Sequence, residues 1–328
     1  MLRRFAWLLL GITPFALAPA CGDQQVAQRE PPNFVPDAGA DGASAEGGGV
    51  PTKEGVVRVA SFNVRKLFDT VCDTRQCGGT NFEEAPTQGE IDAKIEQIAA
   101  GIQIIQPDVI ALAEIENLTV FGQLRDKLGA LGMSFPIGAL GETGGAGSID
   151  VAVLAKGALT EVKTHRDVPL KRPDGSATTF ARELLQVRMT FGSRTVVMFA
   201  AHYVAKVNDD PGRRLAEATA TQQIMTGVAK ELPDALVVLG GDLNDTPGSP
   251  PIAALEAGGA LFRVASDRPL DKQATYTFNG VDQAIDHIFV VAGQKDRYVA
   301  TSTTVYRDGK KGFASSDHGA IAADFSIK

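Results

Sequence analysis

The 328-residue chain is short of positive charge, of cysteine and of long apolar runs, and each shortage closes off a class of function. Lysine and arginine total 32 against 39 acidic residues, for a net charge of −7. That balance does not suggest a broad basic face that grips nucleic acid regardless of sequence. It leaves room for a nuclease that borrows local positive charge from a divalent cation. Only three cysteines occur, Cys21, Cys72 and Cys77. No second Cys or His pair lies near 72–77, which argues against zinc, and a close pair in an exported chain reads as a loop disulfide. The N-terminal apolar run, Phe5 to Leu17, is too short for a stable transmembrane helix. No internal repeat is visible.

Arg3-Arg4, the apolar run and the small residues after it have the layout of a secretory signal over residues 1–20. Losing Arg3 and Arg4 takes the net charge from −7 to about −9. Leu17-Ala18-Pro19-Ala20-Cys21 resembles a bacterial lipoprotein processing site with Cys21 as the lipidated residue. Cleavage after Ala20 with a free Cys21 is the alternative. Residues 21–55 are rich in Gly, Ala, Pro, Asp and Gln and poor in large apolar residues, the composition of a flexible tether. The reading is an exported monomer that touches a membrane through its lipid anchor only, facing the periplasm or the cell exterior, or is secreted.

The domain proper is expected over 56–328. Val56–Val64 reads as a strand, followed by a long polar loop from Lys66 to Gly89 carrying the cysteine pair and Glu83-Glu84. Ile91, Ile95, Ile98, Ile102 and Ile105 mark one stripe of an amphipathic helix ending at Gln106-Pro107. Val109–Ala113 is a second strand, with a helix between Asn117 and Leu131. Further strands are expected at Ile149–Leu154, in a hairpin of Arg182–Thr190 with Arg194–Ala201, and at Leu236–Leu239. Others follow at Ala274–Phe278, Ala284–Val291, Tyr298–Tyr306 and Ala320–Ile327, with a helix over Arg213–Lys230. Mixed hairpins and βα units predict an α/β (α+β) fold of two packed, mixed, mostly antiparallel sheets flanked by helices.

Polar residues recur where apolar runs end: Asn63, Glu114, His202, Asp242 with Asn244, Asp286, and Asp317 with His318. Functional groups on loops at one end of a strand scaffold are a common enzyme layout. Taken alone each has a structural reading that outweighs the functional one: Asn63 as a turn former, Glu114 as a helix-start charge, His202 as a hydrogen-bonded edge residue.

In order, these segments resemble the endonuclease/exonuclease/phosphatase superfamily, with its deoxyribonuclease I-like fold. They are Ser61-Phe62-Asn63-Val64, Leu112-Ala113-Glu114-Ile115-Glu116-Asn117, Ala201-His202-Tyr203, Gly240-Gly241-Asp242-Leu243-Asn244-Asp245-Thr246-Pro247, Ile285-Asp286-His287-Ile288 and Ser315-Ser316-Asp317-His318-Gly319. The start Asn63-Val64-Arg65-Lys66-Leu67-Phe68-Asp69-Thr70 is similar to secreted bacterial members. The resemblance implies a four-layer sandwich and a phosphoesterase using Mg²⁺ or Mn²⁺, with Ca²⁺ as a further candidate. Glu114 would be the main metal ligand, with Asn63 and Asp317 beside it. Asp242 would activate water and Asn244 would donate to the scissile phosphate. His202 and His318 would bracket that phosphate, Asp286 would charge His318, and Arg182 would contact phosphate. Abasic endonucleases carry a tyrosine that the span from Met133 to Leu154 lacks, which argues against abasic-site repair. Asp150 is either a site residue or a strand-start charge; Arg213 and Arg214 either reach substrate or open a solvated helix. His287 should face away from Asp286, and His165 is expected at the surface.

Three functions compete at this level. The first is an extracytoplasmic nuclease on DNA or RNA. The second is a phosphatase or phosphodiesterase acting on a small or lipid phosphoester, sphingomyelinase- or inositol-phosphatase-like. The third is a non-catalytic surface lipoprotein.

Overall fold

The computed structural model describes residues 53–207 and 209–328. The signal segment, Cys21 and nearly all of the tether lie outside the described residues.

In chain order the elements are β1 (Val56–Leu67), α1 (Gln88–Ile105), β2 (Val109–Ile115), α2 (Leu118–Ala130), β3 (Ile137–Gly141), β4 (Asp150–Ala155), β5 (Ala158–Thr164), β6 (Leu170–Lys171), β7 (Ala177–Thr178), β8 (Leu185–Phe191), β9 (Arg194–His202), α3 (Pro211–Glu231), β10 (Leu236–Asp242), α4 (Pro250–Glu256), β11 (Leu261–Arg263), β12 (Tyr276–Phe278), β13 (Val281–Gln283), β14 (Asp286–Val291), β15 (Thr304–Tyr306) and β16 (Ala320–Ser326). One six-stranded sheet has the order β15-β16-β1-β2-β4-β3, the other β11-β14-β10-β9-β8-β5. Each contains one parallel pair, β1 with β2 and β9 with β10, and is otherwise antiparallel.

Two-residue alternation sorts each strand into the layers. Val57 and Val59 point between the sheets with Val238, Met198 and Ile288. Ala60, Phe62 and Val64 point the other way, onto the isoleucine stripe of α1 and onto Phe121 and Leu124 of α2. On the far side Val237, Leu239 and Phe289 pack beneath Met225 of α3 and Ile252 of α4. The result is four layers: helices, sheet, sheet, helices. The sheets approach closely at Gly240, where a Cβ would stand 2.8 Å from Met198 Cε and 3.2 Å from Ser61 Cβ. Next door, a Cβ on Gly241 would fall 2.1 Å from the carbonyl oxygen of Ala201, so this position of the β9–β10 ladder admits only glycine.

Helix α1 is fixed at its start by a capping box between Thr87 and Glu90. It stops where Gln106 turns left-handed (φ 53°) ahead of Pro107. Several sequence expectations shift. Strand β8 starts at Leu185 rather than Arg182, leaving Arg182 in a turn. The expected strand from Tyr298 shrinks to Thr304–Tyr306, because Thr301 turns left-handed (φ 64°) and Asp267 takes its backbone N–H. Strands β3, β5 and β11 carried no recognisable pattern: β3 is glycine-rich, β5 is a half-exposed edge and β11 is three residues long. The fold also begins slightly earlier than Val56, since Lys53 bridges Val56 and Gly55 accepts from the Ile327 amide. Cys72 and Cys77 are joined in a disulfide within the β1–α1 loop.

Candidate active site

The alternation that builds the core also builds the site. Asn63 continues the inter-sheet face of Val57 and Val59, and Asp242 that of Leu236 and Val238. His202 continues Met198 and Ala200, while Asp286 precedes Ile288 and Val290 on the same face. The strand ends therefore converge where the apolar inter-sheet core gives out. Asn63 Nδ2 crosses from one sheet to the other and donates to Asp242 Oδ2 at 3.0 Å and to Glu114 Oε1 at 2.9 Å. The Asn63 oxygen accepts the Arg65 N–H at 2.9 Å, and an amide N–H only donates, so the orientation of the carboxamide is fixed. Asn63, expected beside the metal, ties two carboxylates together through its NH₂.

Glu114 should by parity point away from the site. A bulge re-aims it: β2 shifts register between Ala113 and Ile115, and Glu114 has φ 67°. Its second oxygen accepts the Lys66 N–H at 2.9 Å. Asn244 also adopts a left-handed conformation (φ 53°), and its backbone N–H donates to Asp242 Oδ1 at 2.9 Å. Its side-chain Nδ2 and Arg182 Nη1 both donate to the Tyr203 carbonyl at 3.1 Å, which leaves further donors on each for a ligand.

Asp242 lies between two histidines, its Oδ2 3.6 Å from His202 Nε2 and 3.8 Å from His318 Nε2. His318 Nδ1 is 2.8 Å from Asp286 Oδ2. The two rings differ in charge. Burial works against a cation on His318, but Asp286 and then Asp242 outweigh it and push it up to about 10. His202 is driven well below its ordinary value, by burial first and then by Arg182 and His318, and is neutral. Burial and the Asp286 charge raise Asp242 to about 7, against His318 and the hydrogen bonds from Asn244 and Asn63. A carboxylate poised near neutrality is suited to taking a proton from water.

These groups floor a cavity of about 550 Å³ whose lining includes Glu114, Arg182, His202, Asp242, Asn244, Asp317 and His318. Asp286 and Asn63 are buried beneath it. Several lining residues were not singled out as site residues in the sequence. Tyr276 stacks on His318 with ring centroids 4.8 Å apart; Arg65, Lys66 and Lys206 line the walls along with Phe82 and Phe278. Ser316 was legible in its motif but not in its role: Oγ donates to the Asn63 carbonyl (2.7 Å) and accepts the His318 N–H (3.0 Å), clamping the last motif onto the first. Lys94 donates to the Lys66 carbonyl at 3.0 Å and to that of Arg65, propping the left-handed turn there.

Other sequence candidates lie elsewhere. Asp150 is buried, accepts from Thr143 and Ser148, and is pushed up to about 6, chiefly by burial. Arg214 is buried in ion pairs with Asp209 and Asp245, and Arg213 donates to the Thr179 carbonyl; neither lines the cavity. His287 faces the opposite side of its strand and pairs with the Asp245 carbonyl at 2.9 Å. His165 is not at the surface: it is buried against Phe199 and its Nε2 is 3.0 Å from Gln186 Oε1.

The profile of the Endonuclease/Exonuclease/phosphatase family matches residues 58–296. The chain belongs to this family. The matched region takes in every strand-end residue above except Asp317 and His318, which lie beyond it and line the cavity. Solved structures share the fold. Truncated Caenorhabditis elegans TDP2 has a TM-score of 0.58 at 16% identity, over 83% of this chain and 97% of that one. The human Nocturnin catalytic domain with bound sulfate has 0.57 at 15%, over 83% and 94%. D. rerio TDP2 complexed with single-strand DNA product has 0.52 at 15%, over 83% and 100%. No match was found among curated protein sequences.

Members of the family are phosphoester hydrolases that depend on a divalent metal, and the donor set fits a hard cation. Glu114 and Asp317 present carboxylate oxygens to the cavity. Asp242, Asp286 and His318 also lie within 4.8 Å of one another. That trio suits a proton better than a metal, because the His318 Nδ1 is already engaged by Asp286.

Proposed function

We propose that the protein is an extracytoplasmic nuclease that hydrolyses phosphodiester bonds of DNA or RNA with Mg²⁺ or Mn²⁺. The observation that carries this reading is Asp242 held between His202 and His318 at the floor of a cavity walled by arginine, lysine and phenylalanine. Glu114 and Asp317 would hold the metal, which supplies positive charge to the phosphate. Asp242 takes a proton from the attacking water, whose oxygen bonds to phosphorus as the ester P–O bond breaks. The His318 cation and the free N–H groups of Asn244 and Arg182 meet the charge that builds on the phosphoryl oxygens. Phe82 and Phe278, both about half exposed at the cavity walls, offer faces on which splayed bases can stack. Cys21 would tether the domain to a membrane.

A second reading, a lipid or small phosphoester substrate, draws on a different feature. Phe278, Val281 and Val207 are exposed near the cavity or on the β12–β13 hairpin, and the chain is acidic. Purified protein assayed with Mg²⁺ and Mn²⁺ on single-stranded DNA, plasmid, RNA and sphingomyelin separates the two. Turnover of sphingomyelin with none of any nucleic acid would overturn the nuclease reading.

A further inference from the structure

The β1–α1 loop and the end of β2 bring together carboxylates that the phosphoester site does not use. Asp73, Glu83 and Glu116 each offer an oxygen within 4.8 Å of the others. Asp69 closes one side: its N–H donates to Glu116 Oε2 (2.6 Å) and its carboxylate accepts from Asn117 Nδ2 (2.9 Å). Glu83 is buried and held by the loop backbone, accepting from the N–H groups of Asp73 (2.6 Å) and Thr74 (2.9 Å) and from the Thr74 hydroxyl. Gly147 passes so close that a Cβ there would sit 2.9 Å from the Glu83 carboxylate.

Carboxylate clusters on loops are ordinary, and Glu116 is what distinguishes this one. It is only 3% exposed, and its Oε1 is buried without any hydrogen-bond partner. The acidic groups beside it, Asp73 and Glu83, each bring an oxygen within 4.8 Å. A buried carboxylate oxygen with neither donor nor counter-charge is costly, and a cation relieves it.

We propose that Asp73, Glu83 and Glu116 bind a structural Ca²⁺ ion, at a site distinct from the phosphoester centre. The donors are oxygens only: the two nearby cysteines are consumed in their disulfide, and the cluster holds no histidine, which disfavours zinc. Carboxylates on an irregular loop, completed by carbonyls and water, suit the flexible coordination of Ca²⁺ better than the rigid octahedron of Mg²⁺. The loop also supplies a wall of the catalytic cavity, since Lys66 Nζ donates to the Phe82 carbonyl (2.8 Å) and lies 4.8 Å from the Phe82 ring centroid. Calcium would thus fix that wall.

The test uses the purified full chain carrying Glu114→Gln, which removes the main carboxylate of the phosphoester site, in calorimetric titrations and thermal melts with CaCl₂ and, separately, MgCl₂. One Ca²⁺ should bind with Kd on the order of 10⁻⁴–10⁻³ M. Saturation should raise Tm by about 2–4 °C, an effect equal MgCl₂ does not reproduce. Adding Asp73→Asn or Glu116→Gln should weaken binding about tenfold or more. If Glu116→Gln does not fold, Asp73→Asn, on the exposed loop, decides alone. No Ca²⁺ binding by the Glu114→Gln protein, or binding untouched by Asp73→Asn, overturns the proposal.

Discussion

Replacing Asp286 with asparagine keeps the shape beneath His318 and removes a charge. Asp286 Oδ2 is 2.8 Å from His318 Nδ1, and both residues are buried. Two unit charges about 4 Å apart at an effective dielectric of about 20 interact by roughly 4 kcal/mol, or about three pH units of titration. His318, pushed up to about 10 in the native protein, should then titrate near roughly 7 in Asp286→Asn. The cation is the raised-pKa form, so it is present at low pH and lost as pH rises. At pH 8 the variant would keep only about a tenth of its His318 charged, against nearly all in the native enzyme. If catalysis needs that cation, kcat should fall about tenfold at pH 8 from this cause and less than twofold at pH 6. The assay is kcat against pH from 6 to 9 on bis-nitrophenyl phosphate, with circular dichroism to confirm folding. A variant profile parallel to the native one, at whatever level, would refute the reasoning.

His318→Ala and His202→Ala should each lower kcat by on the order of 10²–10³. His165→Ala should cost about 1–3 kcal/mol of stability through its buried partner Gln186 while leaving kcat near native, as denaturant melts and initial rates would show. Asp150, raised mainly by burial to about 6, destabilises the fold as pH climbs from about 4 through 6, by up to about 3 kcal/mol. Asp150→Asn should lack this loss, so urea midpoints of the two proteins should diverge between pH 4.5 and 7.5; a constant difference would contradict it. Cys21 should incorporate labelled palmitate, and Cys21→Ala should not; equal labelling of both would sink the lipid anchor.

What the sequence determined by itself was set by short-range rules. Two-residue alternation put Asn63, His202, Asp242 and Asp286 at the ends of apolar runs and turned His287 the other way, where it meets the Asp245 carbonyl. The isoleucine stripe fixed α1 and its buried face. Only the tertiary structure decided which strand ends meet. The Asn63–Asp242 hydrogen bond joins residues 179 apart across two sheets, a pairing no local pattern encodes. Glu114 enters the site because a bulge overrides its parity, and Asn63 turns its NH₂ inward because Arg65 claims its oxygen. His165 looked exposed for want of a motif, yet folding β5 against β8 buries it beside Gln186. Tyr276, Ser316, and the trio of Asp73, Glu83 and Glu116 acquired their partners the same way. Charge, burial and proximity are properties of the packed chain, and they separate a cationic His318 from a neutral His202 although both are strand-end histidines in the sequence.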